Sequence, residues 1–574
     1  MINLEIDGIA VSVPEGTTVL EAARQIHINI PTLCWHEDQQ IKAACRLCVV
    51  EINGGETLQT SCSTQVAEGM VVRTSTPRVI RYRRNILELI FARHPQNCLS
   101  CAKNGMCELQ KLAAELGRQP HKVRYVYDPR KIPADRSSPA ITREPSKCVL
   151  CRRCIEACAR MQTVDVISLE NRGYRTNILP VFGKKLADTP CVNCGQCYQA
   201  CPTGAITIHD DTWRIYEEYD EGKDLVVQVA PSVRINLAEC LGEAPGTVST
   251  GRLVTALKRL GFRYVLDADF TADLTIMEEG TELLHRMGGE GVMPMITSCC
   301  PAWIKFCETY YPKQRSHLST CKSPQQMFGA LIKTWCAQKL DLSPENICSV
   351  SVMPCTAKKF ELTRPEMRDS GYQDVDISIT VQELANMIRA AGIDFRRLEE
   401  TPFDSPTGTG SGAGLIFGAT GGVMEAALRT VYELTTGERL DPIEFTAVRG
   451  MEGVREASVS LKDKTVRVCI AHGLGNARAV MERVKAGTAP WDFIEIMACP
   501  GGCIGGGGNA PRTNAKVRAR AEAIYAAEKE LPIRLSHENP FVQQLYTEFL
   551  GQPCGEESHR LLHTNYVDRS DLLR

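Results

Sequence analysis

Residues 497–508 read M-A-C-P-G-G-C-I-G-G-G-G. Two cysteines four positions apart, Cys499 and Cys503, sit beside six glycines. Thiolates hold iron-sulfur clusters, and glycine lets backbone press closely round such a group. A glycine-rich turn with two cysteines also suits a tight loop or half of a zinc site, so the stretch alone does not decide. Two earlier stretches add to it: T-S-C-C-P-A-W at 297–303 and M-P-C-T-A-K-K-F-E at 353–361. Each sets a cysteine beside a proline, which fixes φ and removes a backbone donor.

In this order the trio resembles the three signatures of the [FeFe]-hydrogenases, and the resemblance covers nearly the whole chain. It implies that Cys300, Cys355, Cys499 and Cys503 hold the catalytic H-cluster, a [4Fe-4S] cubane bridged through Cys503 to a two-iron subsite with carbonyl, cyanide and dithiolate ligands. It also implies that Ala230, Pro231, Ser232, Pro324, Gln325 and Lys358 surround those ligands, with Met353 and Met497 as soft walls and Phe417 and Gly418 close by. A proton path through Arg286, Glu282, Ser319 and Glu279 to Cys299 follows from the same resemblance. Read without it, Glu279, Glu282 and Arg286 share one face of a helix and look like a solvated stripe. Met353 and Met497 then read as core filling, and Lys358 as a surface cation.

A chain of 574 residues holds roughly three to five domains. Its net charge of −2, with both signs interspersed, offers no basic field for nucleic acid. The 27 cysteines, many in C-x2-C runs, point to metal binding before disulfides. The start has neither the basic region nor the apolar core of a signal peptide, and no apolar run reaches ~18 residues, so a cytoplasmic protein without a membrane span is expected.

The first residues alternate as a strand pair about Asp7-Gly8, and Val19, Leu20, Ala23 and Ile26 follow at helical spacing behind a threonine cap. Cys34, Cys45, Cys48 and Cys62 suit a [2Fe-2S] cluster in a ferredoxin-type β-grasp module, a structural zinc site being the alternative. From Arg78 a helical pattern, apolar on one face and with solvated arginines on the other, leads to His94, Cys98, Cys101 and Cys107. A lone histidine near a helix end is usually a cap, but three cysteines follow, and the set resembles the His/Cys3 [4Fe-4S] site of the same hydrogenases. Asp128–Pro145 reads as a connector. Two runs after it match the two-cluster bacterial ferredoxin pattern, in which the fourth cysteine of each run serves the other cluster. That assigns Cys148, Cys151, Cys154 and Cys201 to one [4Fe-4S], and Cys191, Cys194, Cys197 and Cys158 to the other.

Beyond Asp210, strands at 224–230, 263–266, 349–353 and 466–471 alternate with helical patterns such as 250–260, which argues α/β layers. The stretch from about Arg520 reads as a polar helical cap broken at 536–540. The glycines at 408, 410, 412 and 414 mimic a nucleotide loop, but Asp404-Ser405-Pro406 precedes them instead of a strand and no Gly-Lys-Ser/Thr follows. Cys240, Cys307, Cys321, Cys336, Cys348, Cys469 and Cys554 form no close pairs and read as buried thiols without a role.

The expected fold is therefore multidomain α+β and α/β. A β-grasp [2Fe-2S] domain (1–78) is followed by a His/Cys3 domain (79–125), a 2[4Fe-4S] ferredoxin-type domain (126–209), a two-lobed α/β catalytic domain (210–519) and a helical small-subunit-like region (520–574). The implied cofactors are the H-cluster, three accessory [4Fe-4S] clusters and one [2Fe-2S]. Hydrogen and protons are the implied substrates, and maturation enzymes are implied for the two-iron subsite. The accessory sequence looks most like catalytic subunits of NAD(P)-reducing hydrogenases, so ferredoxin or an NAD(P)-binding flavoprotein with small [2Fe-2S] subunits is the expected partner. The rival readings are a non-catalytic relative, such as a hydrogen sensor or iron-sulfur assembly factor, and a relay subunit like that of NADH dehydrogenase.

Overall fold

The computed structural model describes residues 1–118, 122–404, 406–461 and 464–574. The chain divides into two units. One comprises Met1–Arg160, Asp165–Leu186 and Ala200–Thr207; the other comprises Met161–Val164, Ala187–Gln199 and Ile208–Arg574.

In the first unit, strands Ile2–Ile6 and Ile9–Val13 pair antiparallel about Asp7-Gly8, burying Leu4, Ile6, Val11 and Val13 on one face. Met70–Arg73 pairs parallel to the first strand, and Val49–Ile52 and Gln59–Thr60 extend the sheet to five strands. The helix Val19–Gln25 starts on a capping box between Thr18 and Glu21 and packs Val19, Leu20, Ala22 and Ala23 into this core. A longer helix, Pro77–Arg93, begins with Thr76 as its cap. Its arginines are not all solvated: Arg83 is buried and donates to the Val49 carbonyl at 2.7 Å, because the helix packs beside that strand. The expected connector is not wholly irregular either, since Ile141–Arg143 forms a strand that pairs with the one beginning at Ile206.

The second unit contains two four-stranded sheets. In the first, Tyr264–Asp267, Asp224–Val229, Ile347–Met353 and Ile377–Thr380 run parallel in that order. Ile347–Met353 is buried along its whole length, as a β-branched run covered on both faces should be. In the second, Met295–Ile296, Phe493–Met497 and Lys464–His472 run parallel, and Val454–Leu461 closes the edge antiparallel. Two strands of each sheet end at a signature or at its partner loop. Val229 leads into Ala230-Pro231-Ser232, Met353 into Pro354-Cys355, Ile296 into Thr297–Cys300, and Met497 into Ala498-Cys499. Loops at the carboxyl ends of parallel strands are where α/β layers bind ligands.

By their contacts 161–164 and 187–199 belong to the second unit, through bonds such as Gln162 Nε2 to the Ala498 carbonyl at 2.9 Å. Near the C-terminus a single helix runs Asn514–Lys529 from a Thr513 cap. The C-terminal region is not polar throughout, since Val517, Ile524, Val542, Leu545 and Leu561 are buried, and Arg520 is buried with bonds to Glu239 and the Ile504 carbonyl. The glycine run packs on the start of the Asp269–Met287 helix, where a Cβ on Gly410 would come within 2.3 Å of the Asp269 carbonyl carbon. Its glycines permit this close packing; Ser405, part of the argument against a nucleotide loop, lies outside the described residues. No described helix is long and apolar enough to cross a membrane.

Candidate active site and cluster sites

The strand ends of the second unit surround a cavity. Ala230, Pro231, Ser232, Pro324, Gln325, Met353, Lys358, Phe417, Gly418 and Met497 all line it, together with Cys299, Cys355 and Cys503. Ala268, Ala272 and Pro354 also line it, and sequence reasoning missed these because an alanine carries no chemical signal. Cys300 points elsewhere: its sulfur accepts from the Ala498 amide at 3.5 Å. As cap of the helix Pro301–Tyr310 it is extended, so it and Cys299 diverge.

Cys300, Cys355, Cys499 and Cys503 come from three loops yet feel one another. Burial raises each thiol. The other cysteines raise Cys355, Cys499 and Cys503 further, Cys355 reaching about 12. Four crowded, desolvated thiols of this kind are poor structure on their own and suit a cationic metal group. A second observation fits such a group: the Ser232 hydroxyl is buried, lines the cavity and has no hydrogen-bond partner among the described residues. The Gln325 amide is less free, since it donates to Glu361 at 3.0 Å while its carbonyl accepts from Ser351. Lys358 is buried, not a surface cation. Burial disfavours its charge, but Glu361 at 2.9 Å outweighs that and raises its pKa, and its Nζ also reaches the Cys299 carbonyl at 3.2 Å.

The acidic stripe is buried too. Glu279, Glu282 and Arg286 are 1%, 9% and 7% exposed, which excludes a solvated face. Arg286 grips Glu282 at 2.6 Å and donates to the Leu318 carbonyl. Ser319 donates to the other Glu282 oxygen at 2.9 Å. Glu279 makes no well-aligned hydrogen bond among the described residues; burial, then the Glu282 charge, pushes it up to about 8 against the opposing pull of the nearby Ser319 hydroxyl and Ser298 amide. Burial, then Glu279, also raises the Cys299 thiol well above its usual range. Glu279 and Cys299 therefore keep their protons at neutral pH, and Cys299 ends the line at the cavity wall.

Against the glycine loop lies the segment carrying Cys191, Cys194 and Cys197. Gln196 Nε2 donates to the Gly505 carbonyl at 3.1 Å, Gln199 Nε2 to the Asn509 carbonyl at 2.9 Å, and Thr356 to the Asn193 carbonyl at 2.7 Å. Cys194 is raised by burial and then by Cys499, so this run and the cavity cysteines are neighbours.

In the first unit, Cys148, Cys151 and Cys154 share a cavity with Cys201. Cys158 lies in the turn Ala157–Met161. His94, Cys98, Cys101 and Cys107 line another cavity, where a Cβ on Gly204 would fall 2.6 Å from the Cys101 sulfur. Burial, then Lys147, lowers His94 to about 4, so its imidazole is neutral as a ligand must be. Its Nδ1 has no partner among the described residues. Cys48 and Cys62 sulfurs are 3.4 Å apart, and the Cys45 amide donates to Cys34 at 3.5 Å. In each pair the hydrogen bond between the two sulfurs lowers one thiol, Cys34 to about 5 and Cys48 to about 7, and raises its partner, Cys45 and Cys62, so each pair shares a proton that a metal would displace.

Comparison with known proteins identifies the family. Residues 223–507 match the family described as "Iron only hydrogenase large subunit, C-terminal domain", and 514–569 match "Iron hydrogenase small subunit". Residues 1–77 match a 2Fe-2S cluster binding domain, 83–121 the NADH-ubiquinone oxidoreductase-G iron-sulfur binding region, and 147–205 a 4Fe-4S dicluster domain. The chain is 48% identical to NADP-reducing hydrogenase subunit HndD of Solidesulfovibrio fructosivorans, covering 100% of both. To Iron hydrogenase 1 of Clostridium pasteurianum it is 37% identical over 99% of this chain and 100% of that one. A solved variant of [FeFe]-hydrogenase HydA1 from Chlamydomonas reinhardtii matches with TM-score 0.55 at 43% identity, over 60% of this chain and 94% of that one. This chain belongs to the iron-only hydrogenases and is an oxidoreductase acting on H2.

Proposed function

We propose that the chain interconverts H2 with protons and electrons at the cavity, as the catalytic subunit of an NAD(P)-linked assembly. The observation that carries this reading is the meeting of four mutually close cysteines, two of them on the cavity wall, with a buried acid line that ends at a fifth, Cys299. When bound through Cys300, Cys355, Cys499 and Cys503, an H-cluster supplies an iron that exchanges electrons and keeps a position open for H2. Everything else falls to the protein. Glu282, oriented by Arg286, takes protons from the surface side, Ser319 hands them inward, and Glu279 holds one against Cys299, whose thiol presents it at the cavity wall. Lys358 keeps a fixed positive charge beside the site, and Ser232 offers a donor in a dry pocket, so charge is stabilised without reorganisation.

Three accessory [4Fe-4S] clusters and one [2Fe-2S] relay the electrons, and the bonds between the 191–199 segment and the glycine loop favour that run as the last station. Similarity to an NADP-reducing hydrogenase subunit along the full length supports a cytoplasmic enzyme with a separate flavoprotein and small [2Fe-2S] subunits. The domain reading stays a β-grasp module, a His/Cys3 module, a dicluster module, a two-lobed catalytic region and a C-terminal cap.

A non-catalytic relative or a pure relay subunit would have no use for the acid line. The test is hydrogen evolution from reduced viologen by protein matured with its dedicated enzymes, read together with infrared carbonyl and cyanide bands. Bands without turnover favour the sensor reading, and neither bands nor turnover rejects the H-cluster. The pure chain should reduce viologen or ferredoxin with H2 but not NAD or NADP.

A further inference from the structure

On the side of the Asp269–Met287 helix covered by the C-terminal segment lies a second set of donor side chains, which the hydrogen chemistry does not use. Glu278 is fully buried there. Its carboxylate accepts from the Tyr546 hydroxyl, from the Cys554 amide at 2.8 Å and from His563 Nε2 at 3.1 Å. The Cys554 sulfur, a Glu278 oxygen and a His563 ring nitrogen all lie within 4.8 Å of one another. We propose that Glu278, Cys554 and His563 form a site for a zinc-class divalent cation.

The donor set and the geometry favour this. Bonds of ~2.0–2.3 Å to sulfur, nitrogen and carboxylate oxygen set ligand atoms roughly 3–4 Å apart; His563 Nε2 and the Glu278 carboxylate stand at 3.1 Å, and the sulfur within 4.8 Å of both needs only a small shift. Thiol with imidazole selects zinc-like ions over magnesium or calcium. His563 Nδ1 lies 2.7 Å from Thr320 Oγ1, so a proton on Nδ1 donated to that oxygen leaves the Nε2 lone pair for the metal. Charge also closes: when Cys554 releases its thiol proton to solvent, thiolate and carboxylate balance a dication, and the buried site is neutral. A neighbouring triad, Glu282, Cys321 and His563, is as compact but unsuitable, because the Arg286 guanidinium at 2.6 Å from Glu282 repels a cation. Cys554 is half-buried, which gives an ion access from the surface.

Filling the site should slow turnover. His563 belongs to both triads, so a bound dication sits next to Glu282 and disfavours its protonation; this consequence rests on the proton route proposed above.

The test uses the matured, fully iron-loaded chain, stripped of loose metal and incubated with zinc sulfate. Zinc per chain, the zinc K-edge spectrum and hydrogen evolution are read in parallel, each variant against its own zinc-free rate. One zinc per chain with a sulfur donor is expected, with a severalfold, chelator-reversible loss of rate. Cys554→Ala and, as a second variant, His563→Gln should each weaken binding by more than the ~10–100-fold that loss of a mere supporting partner costs. Zinc without a sulfur donor, or zinc bound equally well by Cys554→Ala, overturns the site. So does an absence of zinc in a chain that turns over normally, a result that leaves the proton route standing. Zinc bound as described with unchanged turnover keeps the site and takes Glu282 out of the route.

Discussion

The accessory sites and the catalytic cavity assemble the same ligand, cysteine, in opposite ways. Cys34 to Cys62, or His94 to Cys107, lie close in sequence, and the loop itself does the positioning. Residues inside several C-x2-C runs adopt left-handed backbone, as at Arg46 (φ 60°), Leu150 (56°), Arg152 (63°) and Asn193 (59°). Each costs about 1 kcal/mol, and successive amides turned inward make a cradle for an anionic cluster. The cavity instead draws Cys300, Cys355, Cys499 and Cys503 from the ends of separate strands, so two sheets must be right before any donor is. A locally built site should fail alone, whereas the cavity should fail together with its surroundings.

Cysteine loss should expose this contrast most strongly. A fully matured chain should hold about twenty iron atoms. We expect Cys48→Ser to lose about two of them, with the infrared bands intact and viologen-coupled turnover largely kept. Cys503→Ser should lose the bands and all measurable turnover while the accessory clusters remain. Iron analysis with infrared spectroscopy checks both, and equal losses from the two variants would break the comparison.

The acid line separates chemistry from assembly within the cavity itself. Cys299→Ser should keep the iron and the bands yet lose ~10²–10⁴-fold in turnover, because its hydroxyl is too weak an acid. Glu279→Gln should do the same, with a second signature in stability. The Glu279 carboxyl titrates at about 8 folded against 4.5 as a free group. Between those values the folded chain keeps a proton that the unfolded chain has released, so stability falls as pH rises through the window, by up to ~1.4 kcal/mol per unit. The amide removes that penalty. The melting temperature of Glu279→Gln should therefore gain on the parent from pH 6 to pH 8, and a constant gap would mean that Glu279 is ionised in the folded chain.

What could be read in the sequence follows the same division. The clustered cysteines declared themselves through spacing, and the strand–helix alternation of 224–353 came through because its apolar runs are continuous. The interior polar groups did not. Arg83, Arg286, Arg520 and Lys358 look like surface residues in any periodicity, and only their partners, Val49, Glu282, Glu239 and Glu361, make burial tolerable. The attachment of 161–164 and 187–199 to the catalytic loops was equally hidden, since a glutamine such as Gln162 or Gln196 gives no sign of which distant carbonyl it will meet.

Glycine substitution sharpens the comparison at moderate cost. Gly105, in the His/Cys3 loop, has φ 77° but nothing within 4 Å of an added Cβ, so Gly105→Ala should cost only about 1 kcal/mol and leave that cluster bound. At Gly506 a Cβ would stand 2.3 Å from the Pro354 carbonyl oxygen, beside the strand end that carries Cys355. Gly506→Ala must move one signature away from another, at ~1–3 kcal/mol or more, and should mature poorly. Melting curves and infrared band intensity read the two variants side by side.

The smallest effect we expect is also the one whose sign changes. In the chain made without maturation enzymes, the Ser232 hydroxyl is buried on the cavity wall with no partner among the described residues. A polar group left so costs ~1–3 kcal/mol, and replacing it by a methyl group leaves only a small gap. Ser232→Ala should therefore stabilise the unmatured chain by about 1 kcal/mol, a shift of a degree or two in melting temperature for a protein this large. In the matured chain the hydroxyl would donate to a diatomic ligand, and alanine forfeits that bond. The variant should then gain nothing in stability, shift a cyanide band and lose turnover severalfold, since a donor fixed in a dry site is worth more than one in water. The two melting shifts, measured on the same variant before and after maturation, decide the matter. If both are positive and the bands do not move, Ser232 makes no bond to the cluster, and its orphaned hydroxyl is only a cost the cavity carries.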